Sequence, residues 1–349
     1  MSPKFTKIIN YRAPADKMKK KILIISVLAS LSMTVSAQSM PNIGVISSTQ
    51  AHNMVWESKL YRQIEFLSDS LCGGRGTGTV GNTEAAFWIT RRFREIGLMP
   101  CGEWTQHFYE PFGRNVTGFL PGSSKRHRDS YVIVMAHYDG LGTLDRTLYP
   151  GADSNASGVV AMVSIAEMFS SMRRLGRASG SNLVFVALDA KSASMKGSKA
   201  LWKSIEDGRL TDPVTGTAIS ADKISMVVNI DQIGGTMSTL KSGRKDFIIM
   251  LGREAAGEEN MGLLSTCNLK YGSGLELGYD YFGSKDFTNI FYRRVSDQRV
   301  FLEHNVPAVL FTSGITMNNN KPYDTAASLD MTILKRRIWL MFHWIERIM

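Results

Sequence analysis

The chain alternates between short continuous apolar runs and longer segments in which apolar residues recur at helical spacing. The runs, each bounded by turn residues, predict buried strands at 131–136, 181–188, 225–230, 247–251 and 308–311. Two shorter strands are expected near 105–109 and 115–120. Helical spacing predicts helices at about 50–70, 82–96, 156–172, 197–204 and 328–348. This alternation predicts one three-layer α/β/α sandwich around a mostly parallel mixed sheet.

Polar residues stand where the strand at 131–136 ends. His137 and Asp139 follow it directly, and Asp153 lies on a Gly-rich turn just before the helix at 156–172. Parallel strands deliver polar side chains at their carboxyl ends, so a His and two carboxylates are expected to meet there. Hydrolase metal sites are assembled from such residues. The segment 271–292, rich in Gly and aromatic residues, is expected to be a loop that shapes the same pocket.

Three glycines, Gly76, Gly78 and Gly81, match the spacing of a dinucleotide-binding fingerprint. Such a fingerprint requires a strand before it and an acidic residue about 20 positions later, whereas this one follows a helical segment. The glycines are therefore interpreted as a flexible turn between two helices.

The first 37 residues differ from the rest. A basic start at Met18, an apolar middle and small residues up to Ala37 are typical of a secretory signal peptide. We therefore expect a leader at 1–37 with its true start at Met18 and cleavage after Ala37, then one domain at 38–349. The apolar run is short for a membrane span, although an uncleaved anchor is the alternative. An exported protein, periplasmic or extracellular, is the expectation.

The charge does not indicate nucleic-acid binding. The chain has 349 residues, 44% of them apolar and 21% charged, as in a soluble globular protein. Of its net charge of +10, residues 1–37 contribute +6, so subtraction leaves +4 for the remainder. No basic stripe with interleaved aromatic residues is present. The cysteines Cys72, Cys101 and Cys267 lack the spacing of a metal site. The sequence leaves two alternatives, a disulfide between Cys72 and Cys101 or isolated thiols.

Several motifs occur together in one order. They include Gly74-Arg-Gly-Thr-Gly78 and Gly151-Ala-Asp-Ser-Asn-Ala-Ser-Gly158. The others are 66–71, 115–122, 137–139, 197–198, 229–231, 296–297, 305–308 and 324–325. In this order they resemble zinc metallopeptidase family twenty-eight, which includes bacterial leucyl aminopeptidase and aminopeptidase Y. The resemblance covers nearly the whole chain after residue 37.

The resemblance implies that the α/β/α sandwich is of the zinc-exopeptidase type and that the protein is an exopeptidase with two zinc ions bridged by one carboxylate. It implies that His137 and Asp231 hold the first zinc and that Asp153 bridges the pair. Asp139 would orient the imidazole of His137 without touching the metal. In such a centre the metal pair polarises the scissile carbonyl and activates a shared water, and a nearby Glu takes the proton.

The chain departs from the family where the remaining chemistry resides. The family has two consecutive glutamates, a general base and a ligand of the second zinc, where this chain has Lys191 and Ser192. It has a His where this chain has Asn320. Neutral Ser and Asn are weak ligands, and an ammonium cannot accept a proton from water at its ordinary pKa. The active site is therefore predicted to be degenerate, with at most one zinc, and Lys191 is expected to pair with Asp153.

Three functions remain open from the sequence. The first is a peptidase-fold protein, inactive or strongly impaired, that binds a peptide, a protein or a glycan. The second is an active hydrolase with one zinc at His137, Asp153 and Asp231, whose base could be Glu276, Asp280 or Asp286. The third is a glutaminyl-cyclase-like acyl transferase, which is disfavoured because its Glu and His ligands correspond to Ser192 and Asn320.

Overall fold

A computed structural model describes most of the chain after residue 48. The described residues are 49–124, 129–177, 179–237, 240, 242–281 and 283–349. They belong to one compact unit. The predicted leader, its start at Met18 and its cleavage after Ala37 lie outside the described residues. None of the helices within the described ranges is long and apolar enough to cross a membrane.

One eight-stranded mixed sheet forms the centre of the fold. Its strands in chain order are β1 (Thr105–Phe108), β2 (Gly113–Leu120), β3 (Tyr131–His137), β6 (Asn182–Leu188), β7 (Ile224–Ile230), β8 (Phe247–Leu251), β9 (Glu276–Gly278) and β10 (Ala308–Thr312). The spatial order is β1-β2-β6-β3-β7-β10-β8-β9. A separate hairpin pairs β4 (Gly142–Leu144) with β5 (Thr147–Tyr149). The predicted mixed α/β architecture is confirmed.

Eight α-helices accompany the sheet in the described residues. They are α1 (Glu57–Ser68), α2 (Val80–Ile96), α3 (Ser157–Arg174), α4 (Lys196–Glu206), α5 (Arg253–Lys270), α6 (Lys285–Arg294), α7 (Gln298–Glu303) and α8 (Met331–Ile348). The alternation of side chains along β3 divides the core between the two faces of the sheet. Val132, Val134 and Ala136 join a cluster with helices α3 and α8. Ile133 and Met135 join a second cluster with helices α4 and α7.

The four central strands run parallel and end at one edge of the sheet. β6, β3, β7 and β10 are neighbours joined by parallel pairing. Their carboxyl ends lead into the segments that hold Lys191, His137, Asp231 and Asn320, respectively. The edge where polar residues were expected to meet is therefore built by the sheet topology.

Two predictions about irregular segments have different outcomes. The glycine-rich stretch lies between α1 and α2 and contains a short 3-10 turn at Ser70–Arg75, as a turn between helices requires. The segment 271–292 is not a plain loop, since it contains strand β9 and most of helix α6. Ser284 caps that helix by accepting a hydrogen bond from the Phe287 N–H. Cys72, Cys101 and Cys267 are buried and unbridged.

A pair of histidines joins the start of the described chain to its last helix. The Nε2 atoms of His52 and His343 are 2.8 Å apart. The ring of His52 also stacks on Trp339, and that of His343 stacks on Tyr271. Burial and the nearby His343 lower the pKa of His52 to about 4. Burial lowers the pKa of His343 as well, although Glu346 opposes it.

Acidification is expected to weaken the fold through this pair. Both imidazoles have folded-state pKa values below the unfolded value of about 6.5, so their contribution is complete above that pH. It is lost as the pH falls from about 6.5 towards the folded pKa of His52 of about 4. Thermal unfolding across this window should show a steeper loss of stability in the wild type than in His52→Phe.

The matched control is His107→Phe, because His107 is exposed. This variant should keep the wild-type pH dependence. Equal slopes for the wild type and His52→Phe would contradict the assignment.

Candidate functional site

A cavity of about 310 Å³ opens at the carboxyl edge of the central strands. Its wall includes side chains at or just after the ends of strands β3 and β6, residues of β5 and the turn after it, and residues of the loop after β10. The lining residues are His137, Asp139, Gly140, Leu141, Tyr149, Gly151, Ser154, Lys191, Ser192, Asn320, Lys321 and Asp324. Most of the residues predicted for the site therefore lie at one cavity.

His137 lies between two carboxylates. Its Nδ1 atom is 3.3 Å from Asp139 Oδ1 and 3.1 Å from the main-chain oxygen of Asp139. Its Nε2 atom is 3.4 Å from Asp231 Oδ1. Burial and the Lys191 ammonium lower the pKa of His137, but the two carboxylates outweigh them and raise it to about 9. Asp139 thus has the position of the predicted orienting residue.

Asp139 is fully occupied by the loop after β6. Its Oδ1 accepts a hydrogen bond from the Lys191 N–H at 2.9 Å. Its Oδ2 accepts from the Ser192 N–H at 3.1 Å and from the Ser192 hydroxyl at 2.8 Å. Burial opposes the charge, but His137 and these donors hold the pKa of Asp139 below its ordinary value. Ser192 therefore supports Asp139.

Lys191 forms an ion pair inside the cavity. Its Nζ atom is 3.2 Å from Asp231 Oδ2, and its side chain is 19% exposed. The same oxygen of Asp231 accepts a hydrogen bond from the Ser296 hydroxyl at 2.5 Å. Burial opposes the charge of Asp231, but Lys191 and His137 hold its pKa well below the ordinary value. The expected pairing of Lys191 with Asp153 is wrong, because the partner is Asp231.

Asp153 does not line the cavity and makes no contact with His137 or Asp231 among its hydrogen bonds. Its Oδ1 accepts hydrogen bonds from the N–H groups of Gly234 and Gly235, at 2.8 and 2.9 Å, and from the Ser157 hydroxyl at 3.1 Å. Its Oδ2 is buried without a hydrogen-bond partner, and burial raises the pKa of Asp153 to about 6. The next residue, Ser154, lines the cavity in its place.

The turn that presents Ser154 is held from two sides. Asp324 accepts hydrogen bonds from the N–H groups of Asp153 and Ser154, at 2.8 and 3.1 Å. The buried guanidinium of Arg75 donates to the main-chain oxygens of Tyr138 and Gly151, which lie beside His137 and this turn. Sequence reasoning missed Ser154, Lys321 and the role of Arg75. Only the position of Arg75 inside the Gly74–Gly78 motif could have indicated it.

Three donors of the predicted kind do not converge in the described part of the chain. No group of three or more His, Cys, Asp or Glu side chains there is arranged to hold a metal ion. His137 and Asp231 are brought together, whereas Asp153 is not. Glu276, Asp280 and Asp286, considered as an alternative base, do not line the cavity. Asp280 instead lines a second cavity with residues 252–254 and part of α6.

The sequence model of peptidase family M28 matches residues 115–345, well over half of the chain. The chain belongs to peptidase family M28. Known structures share the M28 fold with this chain. LapB of Legionella pneumophila superposes with a TM-score of 0.65 at 15% identity, covering 85% of this chain and 73% of LapB. The zinc aminopeptidase of Bacillus subtilis superposes with a TM-score of 0.61 at 14% identity, covering 84% and 95%.

Curated relatives of this M28 chain include a complex subunit, the protein YfbL and a leucine aminopeptidase. The BOS complex subunit NCLN of Gallus gallus is 33% identical over 104 residues, which are 30% of this chain and 17% of that protein. The chain thus matches less than a fifth of that relative's length. YfbL of Escherichia coli (strain K12) is 23% identical over 331 residues, covering 90% of this chain and 94% of YfbL.

Proposed function

We propose that this M28 protein has lost metal-dependent peptide hydrolysis and acts by binding a peptide or protein ligand in its cavity. One observation carries the proposal: the Lys191 ammonium forms an ion pair with Asp231 at 3.2 Å, where the family resemblance implies a zinc ligand. A cation of the protein itself thus neutralises the carboxylate that a zinc ion would need. Two like charges cannot share that place without a large cost.

The other donors do not fit a zinc ion either. Catalytic zinc is held by three protein ligands, and of the predicted ligands only His137 and Asp231 are brought together here. Asp153 is engaged by the main chain of Gly234 and Gly235, and the neighbouring Ser154 is a weak ligand. At the position of the general base stands Lys191, whose pKa is raised by Asp231 against the effect of burial. A raised pKa keeps an amine protonated and unable to take a proton from water.

Export to the periplasm or the cell exterior is part of the same proposal. It rests on the signal-peptide pattern between Met18 and Ala37. The similarity to BOS complex subunit NCLN, a subunit of a complex by its name, supports a binding role over a stretch of 104 residues.

A single-zinc hydrolase is the second candidate. The observation that favours it is the 3.4 Å approach of His137 Nε2 to Asp231 Oδ1, two donor types that zinc accepts. A metal there would have to displace the Lys191 ammonium from Asp231.

Zinc content decides between the two candidates. The purified protein, incubated with zinc and then freed of excess metal, is expected to retain much less than one zinc per chain by elemental mass spectrometry. It should also fail to cleave leucine p-nitroanilide. The Bacillus subtilis zinc aminopeptidase, treated identically, is the positive control. About one zinc per wild-type chain, lost in Asp231→Asn, would overturn the binding proposal in favour of the hydrolase.

A further inference from the structure

The carboxylates in the cavity wall are already engaged by hydrogen-bond donors of the protein. Both oxygens of Asp139 accept hydrogen bonds from Lys191 and Ser192. Both oxygens of Asp324 accept from the N–H groups of the turn at Asp153 and Ser154. An amine that entered the cavity would therefore share each acidic oxygen on the wall with a donor of the protein.

The donors of the wall are open by contrast. An ammonium has three N–H donors, and Lys191 directs one towards Asp231, which leaves two. Lys321 and the Asn320 amide line the cavity and make no side-chain hydrogen bond or ion pair within the described ranges. The Ser154 hydroxyl accepts a hydrogen bond from Gln232 at 3.4 Å and keeps its own proton to donate. A ligand thus meets donors rather than acceptors.

The surroundings add apolar contact on two sides. Leu141 and Tyr149 contribute to the wall, and the exposed Tyr323 of the loop after β10 lies between Lys321 and Asp324, which both line the cavity. Large exposed apolar residues beside a pocket are typical of a surface that contacts another chain. A cavity of about 310 Å³ has room for the end of a peptide, while the loop could contact the residues that precede it.

We propose that the cavity binds the free carboxyl terminus of a peptide with an apolar last residue, the carboxylate being held by Lys191, Lys321, Asn320 and Ser154. This inference names the ligand of the proposed binding function and rests on that function. It reverses the polarity expected of an aminopeptidase, which must accept a free amine. Charge-assisted hydrogen bonds to lysine supply the affinity, and the apolar residues supply the contact area.

The test compares three forms of each short peptide by isothermal titration calorimetry. The probes are N-acetyl-Ala-Ala-Leu, -Phe and -Met as free acids, the same peptides as C-terminal amides, and the amides with a free amino terminus. At least one acid should bind, and the corresponding amide should bind at least about tenfold more weakly. This is the effect of losing a hydrogen bond to a charged group. Acetyl-Ala-Asp-amide distinguishes a side-chain carboxylate from a terminal one and should also bind weakly.

Substitutions of Lys321 test whether the cavity wall binds the peptide carboxylate. Lys321→Ala should weaken binding of the acid about tenfold, whereas Lys321→Arg should retain most of the affinity. Lys203→Ala, on the exposed surface of α4, is the control and should change nothing. Equal binding of acid and amide, preference for the free amine, or no binding of any acid would each overturn the inference. The peptide experiment tests only the identity of the ligand. The zinc measurement tests the binding function itself, which about one zinc per wild-type chain would overturn.

Discussion

Replacing Arg75 with methionine is expected to destabilise the protein by about 3–5 kcal/mol, because several buried main-chain oxygens lose their hydrogen-bond donors. The Arg75 guanidinium is fully buried and donates to four main-chain oxygens. The acceptors are the oxygens of Leu67, Tyr138, Pro150 and Gly151. Methionine fills similar volume but leaves all four oxygens without their donors, and each unsatisfied buried group costs about 1–3 kcal/mol before relaxation.

The backbone of Arg75 shows how strongly its surroundings fix it. Its φ of +57° lies in the left-handed region, which costs a non-glycine residue free energy. Gly74 before it also has positive φ, and a Cβ there would lie 2.5 Å from the oxygens of Gly142 and Tyr149. This close packing of the turn on the β4–β5 hairpin requires glycine. The side chain of Arg75 therefore compensates for an unfavourable backbone by joining the segments around His137.

Urea denaturation followed by circular dichroism measures the effect. Arg91→Met is the matched control, since Arg91 is 68% exposed and its contact with Glu95 is 3.7 Å long. That change should stay within about 0.5 kcal/mol of the wild type. Arg75→Lys should be intermediate, because an ammonium lacks the planar fork of donors. If Arg75→Met had the same urea midpoint of unfolding as the wild type, Arg75 would not be the residue that holds these segments together.

Much of the fold was predictable because hydrophobic periodicity is local. The central strands β3, β6 and β10 are buried at every position, and β7 at every position except Ser225. The predicted ends of α2 and α8 are within a few residues of Val80–Ile96 and Met331–Ile348. The segment 271–292 was interpreted as a loop because β9 has only three residues and α6 is rich in polar side chains. A three-residue edge strand such as β9 forms because it pairs with β8, and its own sequence does not indicate a strand.

The site was predictable only where the backbone is regular. His137, Asp139 and Lys191 follow strand ends, so the sheet fixes their placement. The turn at 151–156 has no periodicity, and nothing local decides whether Asp153 or Ser154 faces the cavity. The decision comes from Gly234 and Gly235, about 80 residues later, whose N–H groups bind the Asp153 carboxylate. The partner of Lys191 is likewise set by the distance across the sheet to Asp231.

Because Ser154 lines the cavity and Asp153 does not, residue 154 is the position at which a carboxylate should produce the largest change in metal binding. Four substitutions, Ser154→Asp, Lys191→Glu, Ser192→Glu and Asn320→His, should convert the cavity into a zinc site. All four positions line it beside His137. Removing the ammonium frees Asp231, and the added carboxylates and imidazole supply the donor types that zinc prefers. Zinc should rise from much less than one ion per chain to one or two, with micromolar or tighter affinity, about −8 kcal/mol or more favourable.

The triple variant that keeps Ser154 is the decisive control. It contains the three positions that family resemblance alone identifies, together with the native Asp153. Because Asp153 Oδ1 is bound by the main chain and Asp153 does not line the cavity, the triple variant should bind zinc at least about tenfold more weakly than the quadruple variant, the effect of one lost charged contact. Elemental mass spectrometry and zinc titration would measure both. Equal zinc binding by the two variants would show that Asp153, not residue 154, is the carboxylate position, and that the turn can rearrange to present it.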